Sequence, residues 1–363
     1  MSNTKDVFIM INSLTQGGAE RVALRISHGL SKVRHNTRLV SVSNDIFYSK
    51  ETININVLNQ SIRINKLQRV ISLYKFFSNK KKCTAICFSL DLSCYLILLR
   101  TLKLYNGKVI CRFINNPDFE VGNTFIGKVK KKILFHLISK ADAIICQSDA
   151  MKAKLSSFVE NNNMVRIYNP IKINFEFNAL TLSDKNHNKD KLIKLLYIGR
   201  FTHQKNIFDI IKVGRELENR KVNFLWTLVG DGELYNEFER QVDINGLNHR
   251  FHLTGAVDNV KDFYSEADMT TLVSHYEGLP NVLLESIASN VPCISYDCPT
   301  GPSEIIIDGE NGALVKMYDI DAFTDAIIDI YHKEMKGTNI ALTLNKFKYE
   351  KIIQEYDNLI NSL

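Results

Sequence analysis

The chain has 363 residues, 45% hydrophobic and 23% charged, which at roughly 100 to 200 residues per domain is enough for two domains. With 17 Gly and 6 Pro against 20 Phe and 14 Tyr, the composition excludes collagen-like, low-complexity and disordered classes. The net charge of +7 divides unevenly: residues 1–170 carry 26 Lys and Arg against 10 Asp and Glu (+16), and residues 171–363 carry 20 against 29 (−9).

A basic half joined to an acidic half implies that one domain faces a polyanion or an anionic membrane. The sequence has no zinc-finger spacing, basic zipper or RNP-like aromatic run, so no nucleic acid is expected and an anionic membrane surface is the expected partner. Along the chain, Met1 to Lys5 lacks the basic start and long apolar core of a signal peptide. Val7 to Ile11 is a short apolar run, followed by a small polar loop, Asn12 to Gly18, and then by apolar residues at helical spacing (Val22, Leu24, Ile26, Leu30). This predicts a strand, loop, helix unit. Similar runs at Arg38 to Val42, Ala85 to Phe88, Lys108 to Phe113, Ala143 to Cys146 and Val165 to Ile167 alternate with helical stretches, which predicts a mostly parallel sheet. The most apolar window, Tyr95 to Leu104, is broken by Arg100 and Lys103 and falls far short of the roughly 20 residues of a membrane span.

From Lys172 to Lys191 the apolar pattern thins into an Asn-, Asp- and Lys-rich stretch, read as a linker. Strands are then expected at Lys194 to Ile198, Phe224 to Val229, Phe251 to Leu253, Met269 to Leu272 and Cys293 to Ser295, and helices at Ile207 to Leu217, Leu234 to Ile244 and Asn281 to Ala288. The fold class is therefore α/β: two Rossmann-like doubly wound domains, 1–172 and 193–345, with ligands expected in a deep cleft between them. Residues 346–363 predict an amphipathic helix that crosses back onto the first domain. The seven cysteines, Cys83, Cys87, Cys94, Cys111, Cys146, Cys293 and Cys298, form no C-x-x-C pair and are odd in number, as expected for reduced thiols in a cytosol.

The densest chemical signal is Ser274 to Glu285, with Glu277 in a loop and Glu285 on the following helix. Pro280 suits a first helical turn, and the main chain of Gly278 to Val282 lies at a helix N-terminus, a ready phosphate site. A carboxylate before that turn can grip sugar hydroxyls and one on the helix can take a ribose diol. An isolated Glu pair is more often surface helix charge, but the loop Gly199 to Asn206 adds Arg200 and Lys205 at a second carboxyl edge. Together they can neutralise a departing diphosphate without a metal.

Three patterns are set aside. Gly122 to Lys128 has P-loop spacing, but Val129 replaces the hydroxyl that would hold Mg²⁺. Asp319-Ile320-Asp321 has the spacing of an acidic metal motif, yet precedes a helix, where Asp is an ordinary cap. His275 reads as a loop residue rather than a base. No His pair has metal-ligand spacing, and no metal or cofactor is expected.

Taken together, Gly199-Arg200-Phe201 with Lys205, Val229-Gly230-Asp231-Gly232, Leu253-Thr254-Gly255, Glu277-Gly278-x-Pro280 with Glu285, and Gly301-Pro302-Ser303-Glu304 before Asp308-Gly309-x-Asn311-Gly312 resemble glycosyltransferase family 4, retaining enzymes of the GT-B fold. In the first half, Gly17-Gly18-Ala19-Glu20 and Tyr168-Asn169-Pro170-Ile171 match the same family. The resemblance covers about residues 6–330 and is loosest between 45 and 140. It implies that Gly17 and Gly18 approach the donor phosphates and that Arg200 and Lys205 hold the leaving diphosphate. Glu277 would then bind the transferred sugar, Glu285 the ribose, and Gly278, Leu279, Asn281 and Val282 the donor. Many relatives place a His in the first domain near the sugar; here the stretch 112–118 has none, and Arg112, Asn116 and Asp118 are the acceptor-side candidates.

The function this implies is retaining, metal-independent transfer of a hexose or N-acetylhexosamine from a UDP-sugar to a lipid-linked oligosaccharide, in O-antigen or capsule synthesis. The enzyme would be cytoplasmic and peripheral to the inner face of the plasma membrane, held there by basic clusters at Lys80 to Lys82 and Lys128 to Lys132. Two rival readings fit the same residues: a sugar-nucleotide epimerase or phosphorylase of the same fold, and a non-catalytic nucleotide-sugar-binding partner in a polysaccharide assembly complex.

Overall fold

The apolar runs pair as parallel strands in the computed structural model of the chain, which describes residues 4–15, 17–33, 35–47, 55–80, 82–116, 125–173, 192–332 and 340–363. In chain order the first elements are β1 (Asp6–Ile11), α1 (Gly18–Lys32), β2 (Asn36–Ser41), β3 (Ile55–Val57), α2 (Lys66–Phe77) and β4 (Thr84–Cys87). They are followed by α3 (Leu90–Thr101), β5 (Lys108–Arg112), α4 (Phe125–Ile138), β6 (Ala143–Cys146), α5 (Asp149–Ser156) and β7 (Met164–Arg166). The seven strands form one sheet in the order β3-β2-β1-β4-β5-β6-β7. Strands covered by helices on both faces bury nearly every residue, and all four residues of β4 are buried.

After the linker come β8 (Ile193–Ile198), α6 (Phe208–Asn219), β9 (Phe224–Val229), α7 (Tyr235–Ile244), β10 (Phe251–Gly255) and α8 (Lys261–Glu266). Next are β11 (Met269–Leu272), α9 (Asn281–Ala288), β12 (Cys293–Tyr296), α10 (Pro302–Ile305), β13 (Gly312–Val315) and α11 (Ile320–His332). The second sheet has the order β10-β9-β8-β11-β12-β13. Its core includes Trp226, Tyr197, Phe201 and Phe238, all fully buried.

The chain divides into two compact units, one of Met1–Pro170 with Tyr349–Leu363 and the other Ile171–Lys348. The last helix, α12 (Tyr349–Ser362), thus belongs to the first unit, three residues later than the expected start at 346. Gly29 on α1 is what lets it seat, because a Cβ there would lie 2.3 Å from Cδ1 of Ile353. Around that contact the Tyr349 hydroxyl donates to the Arg25 carbonyl at 3.1 Å, His35 Nε2 meets Asp357 Oδ1 at 2.7 Å, and Lys5 Nζ donates to the Ile360 carbonyl at 2.6 Å.

Arg112 is the clearest departure from the sequence reading. It ends β5 but is 1% exposed, its Nε donates to the Tyr356 hydroxyl at 2.7 Å and its Nη2 to Asn169 Oδ1. The guanidinium lies 4.7 Å from the Phe88 ring centroid. It is a buried tie between β5 and α12 and cannot present itself to an acceptor. Asn116 is also buried, beyond the carboxyl end of β5. Asp118 and the first residues of the P-loop-like pattern lie outside the described residues, while Gly127 and Lys128 are inside α4. Asp319 accepts from the Ala322 amide at 3.0 Å, which is the cap role at the start of α11.

Candidate active site

In the second unit β9 lies on one side of β8 and β11 on the other. The order of connection therefore reverses between β8 and β11, a switch point of the kind where open α/β sheets bind ligands at their carboxyl ends. Those loops are Gly199 to Ile207 and Val273 to Pro280, which hold Arg200, Lys205 and Glu277.

The first loop is fixed by its glycine neighbours. Gly199 N–H donates to the Val229 carbonyl at 3.0 Å and Phe201 N–H to the Asp231 carbonyl at 2.9 Å. Gly230 has φ +141°, and a Cβ there would lie 2.0 Å from the Gly199 carbonyl oxygen, so only glycine permits this backbone contact. The loop continues through a short 3₁₀ turn, His203–Lys205, closed by Asn206 in the left-handed region at φ +50°. Asn206 Nδ2 donates to Asp209 Oδ2 at 2.7 Å. Asp209 is buried and also accepts from the Tyr296 hydroxyl at 3.0 Å and from Lys212 Nζ at 2.7 Å. This carboxylate fastens the end of the turn that carries Lys205, and sequence reasoning missed it because an Asp in the first turn of a helix is ordinary.

The two loops meet at a charge pair. Lys205 Nζ lies 2.6 Å from Glu277 Oε1, and the Ser274 hydroxyl donates to the same oxygen at 2.6 Å. On either side the His275 amide donates to the Gln204 carbonyl at 2.9 Å and Gln204 Nε2 to the Tyr276 carbonyl at 3.0 Å. The loop after β12 closes the third side, where the Thr300 hydroxyl donates to the Glu277 carbonyl. Ser274, Gln204 and Thr300 carry no distinctive sequence signal and emerge only from the fold.

Arg200 is exposed, and its carbonyl accepts from the Tyr197 hydroxyl at 3.2 Å. Burial, reinforced by the Glu277 charge, pushes the Tyr197 phenol well above its ordinary value, so it remains a donor. The His275 ring contacts the Tyr318 hydroxyl at 3.0 Å, and burial lowers its pKa, which keeps the imidazole neutral near pH 7. Pro280 stands at the N-cap of α9 rather than inside its first turn. Gly278, Leu279, Asn281 and Val282 form the entry to that helix, where the main-chain dipole is positive. Glu285 is a buried carboxylate in its second turn, with the Tyr264 hydroxyl 3.5 Å from Oε2. The Lys205–Glu277 pair thus lies beyond the carboxyl ends of β8 and β11, with Arg200 on the same loop as Lys205 and Glu285 on the helix that follows Glu277. In the first unit Gly17 and Gly18 occupy the equivalent place, at the start of α1 beyond β1.

Comparison with known proteins agrees with this layout. A model of glycosyltransferase family 4 matches residues 16–175, and one of glycosyl transferases group 1 matches residues 180–350. The chain is 26% identical to the amylovoran biosynthesis glycosyltransferase AmsD of Erwinia amylovora, over 98% of this chain and 99% of that one. It is 27% identical, over 85% of this chain and 84% of the other, to a Campylobacter jejuni enzyme. That enzyme is named as a GalNAc-alpha-(1->4)-GalNAc-alpha-(1->3)-diNAcBac-PP-undecaprenol alpha-1,4-N-acetyl-D-galactosaminyltransferase. The structure of HepE from Anabaena in complex with UDP and glucose superposes with a TM-score of 0.81 at 15% identity, covering 99% of this chain and 100% of that one.

The two parallel-sheet units and their switch-point loops define a glycosyltransferase of the GT-B fold. More particularly, the family 4 match over the first half and the group 1 match over the second together support a glycosyltransferase of family 4.

Proposed function

We propose that this enzyme transfers a hexose or N-acetylhexosamine, with retention at the anomeric carbon, from a UDP-sugar to a lipid-linked oligosaccharide during surface polysaccharide synthesis. The observation that carries the proposal is the Lys205–Glu277 pair at the β8/β11 switch point, with Arg200 exposed on the same loop as Lys205. The undecaprenol-linked substrate in the name of the Campylobacter relative and the UDP and glucose bound to HepE support the choice of acceptor and donor.

The reaction breaks the bond between the anomeric carbon and the diphosphate oxygen and forms one from the same carbon to the acceptor oxygen on the same face. The acceptor proton passes to the departing phosphate oxygen, so the step uses stabilisation of diphosphate charge rather than a protein base. Arg200 supplies a bidentate donor fork and Lys205 a point charge with three N–H donors. One of those donors is committed to Glu277, leaving the ammonium positioned for phosphate. Glu277 accepts from sugar hydroxyls, Glu285 from the ribose diol, and the entry to α9 receives phosphate oxygens at the main chain of Gly278, Leu279, Asn281 and Val282. In the first unit, Gly17 and Gly18 are assigned to donor phosphates.

In this reading the cations take the place of a metal, and a lipid-linked acceptor places the enzyme peripherally on the inner face of the plasma membrane. The test is UDP release from a panel of nucleotide sugars, with and without lipid extract, in EDTA. Turnover of a UDP-sugar that depends on the extract and survives EDTA supports the proposal; loss of all release in EDTA contradicts the metal-free chemistry.

A further inference from the structure

One helical layer of the first unit presents apolar residues to water. A helix that covers a sheet turns its apolar stripe inward and polar residues outward. α2 does turn Leu73 and Phe77 inward, where both are buried, yet Leu67, Ile71 and Tyr74 stand exposed on the other side, Leu67 at 69%. Those positions, spaced i, i+4 and i+7, form a second stripe along the outer face. α4 repeats the pattern, with Phe135 and Ile138 buried inward and Val129 and Ile133 exposed outward, Ile133 at 57%. α3, in contact with both, adds exposed Leu98 on its outer side. Among the described residues of the second unit the large exposed apolar side chains are Ile244, Ile307, Tyr318 and Leu342, on four separate segments.

Charge says what covers the layer. The sequences of α2 and α4 contain Lys66, Arg69, Lys75, Lys128, Lys130, Lys131 and Lys132 and no acidic residue. At 3.6 residues per turn, Lys128 and Lys132 flank the Val129 and Ile133 stripe on one side and Lys130 flanks it on the other. Lys128 and Lys132 are i, i+4 like charges, which cost a helix free energy in water and gain it beside an anionic surface. Lys66, Lys75, Lys128, Lys130 and Lys132 are exposed, and two copies of this face would bring those five cations against the same five, which disfavours self-association as the cover. Exposed Phe158 is attended by Lys131, whose Nζ lies 4.6 Å from the ring centroid.

We infer that the outer side of the α2, α3 and α4 layer is a docking face for an anionic lipid bilayer. Its apolar stripes enter the headgroup region and its flanking lysines meet lipid phosphates. This deepens the proposed function by giving the membrane-linked acceptor a surface from which to reach the enzyme, and rests on that reading only for its purpose.

The test is co-sedimentation of the full chain with phosphatidylcholine vesicles, with and without one-third phosphatidylglycerol. Binding is expected only with phosphatidylglycerol and weakens as salt rises. The combined substitutions Lys128→Gln, Lys130→Gln and Lys132→Gln reduce partitioning about 100-fold, about fivefold per charge. Leu67→Ser with Ile71→Ser and Ile133→Ser also weakens binding but leaves the salt dependence. Both variants keep the wild-type melting temperature and UDP affinity without vesicles, which separates lost docking from lost fold. Binding indifferent to phosphatidylglycerol, or either variant sedimenting like wild type, overturns the inference. So does a dimer in solution that Ile133→Ser dissolves. Vesicle binding without turnover of any nucleotide sugar leaves the docking face standing and removes the proposed reaction.

Discussion

Replacing Lys205 by Met strands a carboxylate. The Lys205 side chain is 14% exposed and that of Glu277 8%, so Glu277 is left with the Ser274 hydroxyl and little water. Removing one partner of a buried pair costs about 3–5 kcal/mol. The surviving Ser274 bond and the partial exposure of the lysine place Lys205→Met at the lower end, about 3 kcal/mol. Glu277→Gln costs less, about 1–2 kcal/mol, because the amide oxygen still accepts from Ser274 and the lysine can reach water. In the double variant no charge is stranded, and its cost falls below the sum of the singles by at least about 1 kcal/mol. The assay is denaturant unfolding followed by tryptophan fluorescence. The single tryptophan, Trp226, is fully buried in β9 of the same unit, with Nε1 3.2 Å from the Thr271 hydroxyl, so its signal reports this unit's unfolding. An unchanged transition in Lys205→Met, or strict additivity in the double variant, would refute the reasoning that the two loops are coupled through this pair.

Gly230→Ala forces a Cβ against the Gly199 carbonyl oxygen at 2.0 Å with φ at +141°, and is expected to cost about 3 kcal/mol and abolish turnover. Gly246→Ala, at φ +69° with nothing within 4 Å, costs only the backbone term of about 1 kcal/mol; equal effects in unfolding experiments would contradict the contact. Asp142 is opposed by burial, but the Val109 amide, Lys108 and Arg100 outweigh it and hold its carboxyl below the usual aspartate range. Asp142→Asn therefore destabilises the chain at neutral pH by about 2 kcal/mol. The difference shrinks as pH falls through about 4 toward the native pKa, and a difference in melting temperature that is constant down to acid pH would contradict it. All seven cysteines are buried free thiols, and burial pushes Cys94, Cys146 and Cys293 up to about 12. No thiol is expected to react promptly with DTNB in the native chain near pH 7 and all seven to react in denaturant; one fast native thiol would show that a buried position is open.

Buried parallel strands announce themselves, and the runs at Val7 to Ile11, Phe224 to Val229 and Met269 to Leu272 were legible because both faces of each strand need apolar side chains. β3 and β13 were not. β3 is a three-residue strand in which each residue is half-buried, and the edge strand β13 buries only Gly312 and Val315, so neither makes an apolar run. At the site, charged residues beside glycine-rich turns were visible as patterns, since Gly230 and Gly232 are demanded by backbone contact with the Gly199 to Phe201 loop. What the pattern could not give was pairing across the chain. Lys205 and Glu277 are 72 residues apart, and Asp209 and Tyr296 are 87 apart. Arg112 departs from its sequence expectation for the same reason: its partner Tyr356 is 244 residues away, and nothing local distinguishes a cation tied to α12 from one that greets an acceptor.

The measurement that bears most directly on the central claim is UDP release by wild type and by Arg200→Ala, with a UDP-sugar and lipid extract in EDTA. Extract-dependent release is expected from the wild type, and a loss of turnover in Arg200→Ala of about 100-fold or more with the fold intact. Equal turnover in the two proteins would contradict the assignment of the diphosphate to the β8 loop, and tight nucleotide binding with no release from any donor would contradict the transferase reaction itself.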